Sequence, residues 1–457
     1  MPGMHMDEGW SIVSSRGEWP AANPLSGLTI YSGPFPRLLL FLLGNQHGLL
    51  VLRGCSVLAN GAMLVLIARM CRRVYPARLA SAWTLLLVGT LPVFLVTLRT
   101  GIEVLMLMPC LTVLGLYLLT LRTRRAAFGA GLTWGLLVYN HLIGAAFPIG
   151  IALAWLVAYR RWPPVALVPF VGGLALGLLP RGIALALYGT DLGTGTSAER
   201  YDLHRAIADL SWLPKAMWET WTGKTVYLRY CGRVAVHIWP YWALGLGFLA
   251  PWWRRPSELP RAAVFCLSAA LACAVMCTIL APYLAVRFFV LPLVAACAGL
   301  GLLAAGAGER DARWRNPVAA LALLLTGCNL FYLVANFYLP WADGDLGITT
   351  FFLGRRSAAT SSWGYLPKQD LVRAVLARSP RPEQVIASPS LDRPLRAMLH
   401  GSGISSAIPA EADRSRSSVF IDYAIGKPTP ERCVDTQGER RCFHSPEIVA
   451  RYFVVYR

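Results

Sequence analysis

The sequence is short of acid. Asp and Glu account for 24 of 457 residues, and charged residues of both signs make up 15%, against about 25% in an ordinary globular chain. Between Glu18 and Asp191 the one carboxylate is Glu103, and between Glu258 and Glu309 there is none. The sequence has neither a Walker loop nor a Gly-x-Gly-x-x-Gly turn, which argues against ATP or a dinucleotide as the driving ligand. It has no Cys-x-x-Cys pair and no His-x-x-x-His pair, so no metal site is readable from spacing. There is no long internal repeat and no low-complexity segment. The composition excludes disorder, a coiled coil, collagen and a small disulfide scaffold.

What fills the chain is apolar. Hydrophobic residues are 56%, with 16 Trp, 17 Tyr and 17 Phe, and mean hydropathy is +0.49. Rings in this number suit membrane interfaces, and the chain reads as a polytopic membrane protein. The net charge of +19 does not point to nucleic acid, because the basic residues fall in short clusters between apolar runs. These are Arg69, Arg72, Arg73 and Arg78; Arg122, Arg124 and Arg125; Arg160 and Arg161; Arg254, Arg255 and Arg261; and Arg310, Arg313 and Arg315. That is the positive-inside pattern.

Apolar runs long enough to cross a bilayer predict about ten spans, near 50–70, 79–98, 103–121, 126–141, 142–159, 164–187, 236–253, 262–280, 288–306 and 316–339. The fourth and fifth share one stretch broken near Asn140 and His141. With the first arginine cluster in the cytoplasm, every later cluster also falls inside. The segments 1–49, 188–235 and the tail from about 340 then fall outside. The predicted organisation is an all-α membrane domain over 1–340 and a small extracytoplasmic α/β domain over 341–457. In the tail, PKQDLVRAVLARS and LDRPLRAMLHG read as helices, and EQVIAS, SSVFIDYAI and ARYFVVYR as strands. The acidic N-terminal stretch is expected outside, yet no span precedes it to carry it there; a start internal to a longer reading frame is the expected explanation.

Ionisable groups at span ends are the functional candidates. Glu103 lies just inside the outer end of a span, four residues after Arg99, so a helix pair with Arg99 and a site role are both open. Asp7 and Glu8 are adjacent in MHMDEGWSI. They are either a solvated patch or a pair dividing labour, one taking a proton and the other orienting it or binding a divalent cation. Arg53, Arg99, Arg181 and Arg287 fall at outer span ends, against the inside bias. Snorkelling explains each alone; together they suit the phosphate of an anionic lipid. His141 reads as a helix break more readily than as a base. The loop 188–235 is a candidate amphipathic lid. Cys433 and Cys442, in the polar tail, are either a hairpin disulfide or two free thiols.

Three stretches resemble the GT-C-type integral-membrane glycosyltransferases, nearest the lipid A aminoarabinose transferase and protein O-mannosyltransferase families. MHMDEGWSI is similar to their acidic pair in the first outer loop. The run from RGCSVLANGAM to LMPCLTVLGLYLL is similar to their second-to-fourth-span core, with an outer Arg, a basic inner turn, a Pro, and then an Arg and an acid. APYLAVRFFVLPLV is similar to their late-span Tyr, Arg and Pro. The resemblance spans roughly residues 5–340, and the tail matches the family's outer domain in position. Two departures stand out: the family's first span is missing ahead of the acidic pair, and Glu103 stands where several members have Asp or another residue.

The resemblance implies inverting transfer of a sugar from a polyprenyl-phosphate donor to an envelope glycan, lipid or protein at the outer face of the cytoplasmic membrane. It makes Asp7 the general base, Glu8 its neighbour in orientation or cation binding, and Glu103 the acid after the third span. Arg53, Arg99 and Arg287 match positions near the donor phosphate; Arg181 rests on topology. The one cofactor left open is a divalent cation, with Asp7 and Glu8 as its candidate ligands. The alternatives are a lipid-linked glycan flippase or transporter, and an O-antigen ligase or polymerase.

Overall fold

The structure, a computed structural model, describes residues 6–16, 35–44, 47–75, 79–97, 101, 103–161, 165–188, 203–221, 244–253, 256–281, 286–337, 368–413, 415–423, 429–449 and 453–457. The chain divides into two compact units.

The larger unit is a bundle of apolar helices. The described ones are α3 (Gly48–Val74), α4 (Ala80–Gly89), α5 (Pro92–Thr97), α6 (Glu103–Met106), α7 (Met108–Thr120), α8 (Arg124–Asn140), α9 (Ala146–Tyr159), α10 (Leu167–Tyr188), α11 (Leu203–Trp221), α12 (Arg261–Leu280), α13 (Val290–Arg310) and α14 (Ala312–Phe337). Among the described residues, five helical stretches are long and apolar enough to cross a membrane: Gly48–Val74, Leu142–Tyr159, Leu167–Leu187, Arg261–Leu280 and Arg287–Arg310. The chain is a multi-pass membrane protein. About ten spans are expected from the apolar runs, and part of the difference lies at prolines. The expected span 79–98 breaks into α4 and α5 at Pro92, and 103–121 breaks into α6 and α7 just before Pro109. Proline has no N–H to carry a helix through. The expected break at Asn140 and His141 is present: α8 stops at Asn140, and His141 is both its C-cap and the N-cap of the 3-10 turn Leu142–Ala145.

α13 is the axis of the bundle. Its sequence alternates Gly and Ala with Leu, and almost every residue from Val290 to Ala307 is buried, as befits a helix apolar on all sides. It packs against α4, α12 and α14. Without water to drive helices together, close approach at small residues does so, and α8 with α10 shows it most directly. A Cβ on Gly131 would overlap the Phe170 carbonyl, and one on Gly173 would overlap the Phe128 carbonyl. Gly135 and Gly177 meet one turn further on. Contacts advance together along both helices, so α8 and α10 run parallel.

The smaller unit joins the tail to two N-terminal helices, α1 (Met6–Ser15) and α2 (Phe35–Leu43), and to α3 through Leu52. The tail holds α15 (Lys368–Leu376), α16 (Pro389–Leu399) and strands β1 (Gln384–Ala387), β2 (Ser405–Ala407), β3 (Ser418–Tyr423), β4 (Glu431–Thr436), β5 (Glu439–His444), β6 (Glu447–Val449) and β7 (Phe453–Tyr456). One sheet runs β2-β1-β3-β7-β6, parallel where β1 meets β2 and β3 and antiparallel at β7; β4 and β5 form a hairpin. Alternation assigns the faces. Val385, Val419, Ile421, Phe453 and Val455 share a core with α15 and α16. Ile386, Phe420, Val454 and Tyr456 pack with Phe443 of the hairpin on the other face. Cys433 and Cys442 face each other across the hairpin and are joined in a disulfide.

Candidate functional site

In the bundle, polar groups gather at the end away from the arginine clusters. The glycine stripe of α10 continues at four-residue spacing from Gly173 through Gly177 to Arg181, and that of α8 from Gly131 through Gly135 to Tyr139. Helical periodicity therefore carries Arg181 to Tyr139, and the two side chains lie within electrostatic reach. Arg181 is only 9% exposed, and the neighbouring Asn140 and His141 are buried. His141 Nδ1 accepts the Ile143 N–H at 3.2 Å, which in the neutral ring leaves the proton on Nε2. The His141 ring lies 5.9 Å from that of Phe288.

Phe288 belongs to the 3-10 turn Val286–Phe289, which carries Arg287 and leads into α13. That turn packs against α6, whose first residue is Glu103. Arg287 lines a cavity of about 10 Å³ with Leu105, Met108 and Phe147, room for about one water. The carbonyl of Leu105 in α6 accepts from Asn60 Nδ2 at 3.0 Å, which ties α3 to the same neighbourhood. Ser56 and Asn60 are buried, and Arg53 lies on their side of α3, two turns towards the outer end.

α11 lies over this region. Its Leu213 is buried with Ala274 of α12 and with Phe289, two residues after Arg287, while Leu203, Ile207 and Trp212 remain exposed. An amphipathic helix with apolar residues on its free face suits a membrane interface.

The expected residues thus fall into two groups. Arg181 lies by Tyr139 in the last turn of α8, Arg287 precedes Phe288, whose ring lies near His141 just after that helix, the helical turn of Glu103 lies against that of Arg287, and Arg53 joins through α3. Arg99 and the side chain of Glu103 lie outside the described residues. Asp7 and Glu8 are in the first turn of α1, where the helix dipole favours acid. Glu8 is 0% exposed; the side chain of Asp7 lies outside the described residues, and with it the expected cation site. Among the described residues the one trio of potential metal ligands is Glu431 with Cys433 and Cys442, and its two sulfurs are joined to each other.

α1 is held by α16. The Gly9 backbone lies against Pro394, and Arg16 Nη1 donates to the Ala397 carbonyl at 3.2 Å, a group in the last turn of α16 with no helical partner of its own. Sequence reasoning did not single out Asn60 or Tyr139. The signal for Asn60 was an amide inside an apolar run.

The sequence matches no family model and no curated protein. Among solved structures it is similar to ArnT from Cupriavidus metallidurans bound to undecaprenyl phosphate, with a TM-score of 0.58 and 12% identity over 100% of this chain and 94% of that one. The apo state of the same protein gives a TM-score of 0.57 at 13% identity, with the same coverage. The chain therefore has the GT-C fold that ArnT displays.

Proposed function

We propose that this protein transfers a sugar from a polyprenyl-phosphate donor to an envelope acceptor at the outer face of the cytoplasmic membrane. The observation that carries the reading is the placing of two arginines about the outer end of α8, Arg181 by Tyr139 in its last turn and Arg287 beside Phe288, whose ring lies 5.9 Å from that of His141. Arginine binds phosphate oxygens through its planar fork of donors. The fold is that of a protein solved with undecaprenyl phosphate bound, which supports a donor of that class.

The chemistry is a single displacement. Asp7 takes the proton from an acceptor hydroxyl or amine, the acceptor atom bonds to the anomeric carbon, and the carbon–oxygen bond to phosphate breaks. The charge that develops on the departing phosphate is met by Arg287 and Arg181, with Arg53 on the same end of the bundle. One base and no covalent carboxylate lead to inversion. Glu8 is the neighbour of the base in orientation or in binding a divalent cation. The tail disulfide supports an oxidising compartment for the small unit, in keeping with an outer location. Dialysis against EDTA tests the divalent cation at the acidic pair.

The test is mass spectrometry of envelope glycolipids and glycoproteins from a deletion strain complemented with wild type or with Asp7→Asn. Loss of one sugar mass, restored by wild type alone, supports the transferase and identifies its product. Restoration by both moves the base elsewhere. Accumulation of an intact lipid-linked oligosaccharide with no sugar missing replaces the reading with a flippase or a ligase.

A further inference from the structure

A cavity of about 120 Å³ lies among α3, α7, α9, α12 and α13. Met70, Tyr75, Trp155, Tyr159, Phe265 and Ala298 are among its walls. Its two threonine hydroxyls are already engaged: Thr112 donates to the Met108 carbonyl at 2.8 Å and Thr120 to the Tyr117 carbonyl at 2.6 Å. The remaining side-chain N–H and O–H groups of the walls are the Trp155 indole N–H and the hydroxyls of Tyr75 and Tyr159 at one end, and an otherwise apolar cavity of about 150 Å³ accepts a benzene ring.

Its place in the bundle and its rim point to an occupant. Along α13 the lining runs from Leu291 to Leu302, roughly 16 Å at helical rise, close to the ~15 Å depth of one leaflet's hydrocarbon. At one end the walls are Tyr75, just after α3, Thr120 closing α7, Tyr159 closing α9 and Ala262 opening α12. Those helix ends carry the arginine clusters, and Tyr159 lies within electrostatic reach of Arg161 and Arg261. An apolar slot one leaflet deep, with Arg161 and Arg261 on the Tyr159 side of its rim and Glu309 on the Tyr75 side, complements a chain joined to a phosphate on the Tyr159 side.

We infer that this cavity holds an acyl chain of an anionic phospholipid from the leaflet at the arginine-rich end, with its phosphate at Arg161 and Arg261. The site is separate from the Arg181 and Arg287 end and does not require that the protein be a transferase.

Native mass spectrometry of the full-length protein in detergent, offered phosphatidylglycerol and phosphatidylcholine at equal concentration, tests it. Phosphatidylglycerol is expected to be retained in preference, and Ala298→Phe, which places a ring in the cavity, is expected to abolish that retention at unchanged thermal stability. Arg161→Ala and Arg261→Ala are each expected to lower retention about fivefold. Should Ala298→Phe fail to fold, Ala269→Leu fills the same cavity with less bulk. Equal retention of the two lipids, undiminished retention in the folded cavity-filling variant, or displacement of the phospholipid by added polyprenyl phosphate overturns the proposal.

Discussion

Gly9 and Pro394 meet backbone to backbone: a Cβ on Gly9 would stand 2.9 Å from both Cα and N of Pro394. Neither partner is a flexible side chain that can swing aside. Gly9→Ala is expected to cost roughly 1–3 kcal/mol at this contact, the usual range for overpacking, and to loosen α1 from α16. Hydrogen exchange over residues 6–16 should rise in the variant, and transfer should fall with it if Asp7 acts from this helix.

The α8–α10 interface makes a sharper steric prediction because it includes its own control. Gly173→Leu should lower the thermal midpoint in detergent and weaken the seating of Arg181. Gly172→Leu, at the adjacent position where a Cβ meets nothing within 4 Å, should leave the midpoint nearly unchanged.

Arg287→Ala is expected to lower kcat/KM for a polyprenyl-phosphate donor about tenfold or more, raising KM by weaker hold on the donor phosphate and lowering kcat by loss of charge on the departing one. A hydrogen bond to a charged group contributes about 1.5–3 kcal/mol. Steady-state kinetics on the reconstituted protein would show it, and a fall in kcat with KM unchanged would remove Arg287 from donor binding.

Asp392, in the first turn of α16, is buried, and burial holds its carboxyl above the ordinary range, opposed by Arg396 and by the Ser406 hydroxyl. The Ser406 Oγ donates to it at 2.6 Å, and Arg396 Nη2 at 3.1 Å. An acid whose pKa is higher folded than unfolded binds more protons in the folded state between those two values. Its contribution is therefore present in full below the unfolded value and is lost as pH rises through the folded one. Protection of α16 against hydrogen exchange should decline across that interval in wild type and stay flatter in Asp392→Asn.

Cys433 and Cys442 close a loop with a sequence separation of 9, for which chain entropy gives a stabilisation of about 2–3 kcal/mol. The double serine variant should open the β4–β5 hairpin to proteolysis. In unreduced wild type neither cysteine should take up a thiol reagent; labelling of both would contradict the pairing.

Much of the architecture was legible because membrane physics writes it in composition. The arginine clusters mark one end of the bundle, Asn140 and His141 mark a helix break, and period-2 or period-3.6 apolar patterns mark α15, α16, β1, β3 and β7. The short or exposed strands were not legible. β4 and β5 show mostly exposed side chains, so burial left no alternation to read, although the Gln437-Gly438 turn, with both φ positive, carried the hairpin signal. Arg181 was found by topology, whereas its neighbour Tyr139 depends on which stripes of two non-consecutive helices face each other. The attachment of α1 to α16 was beyond reach, since nothing local in MDEGWSIVSS names its partner.

That attachment has a consequence for the timing of assembly. Arg16 and Ala397 are 381 residues apart in sequence, and chains grow at roughly 5–20 residues per second. The helix bearing the acidic pair therefore emerges early and waits on the order of 20–80 s for its support to be translated. A chain that ends before α16 lacks the surface against which α1 packs, so the seating of the helix that bears the acidic pair waits on translation of the tail.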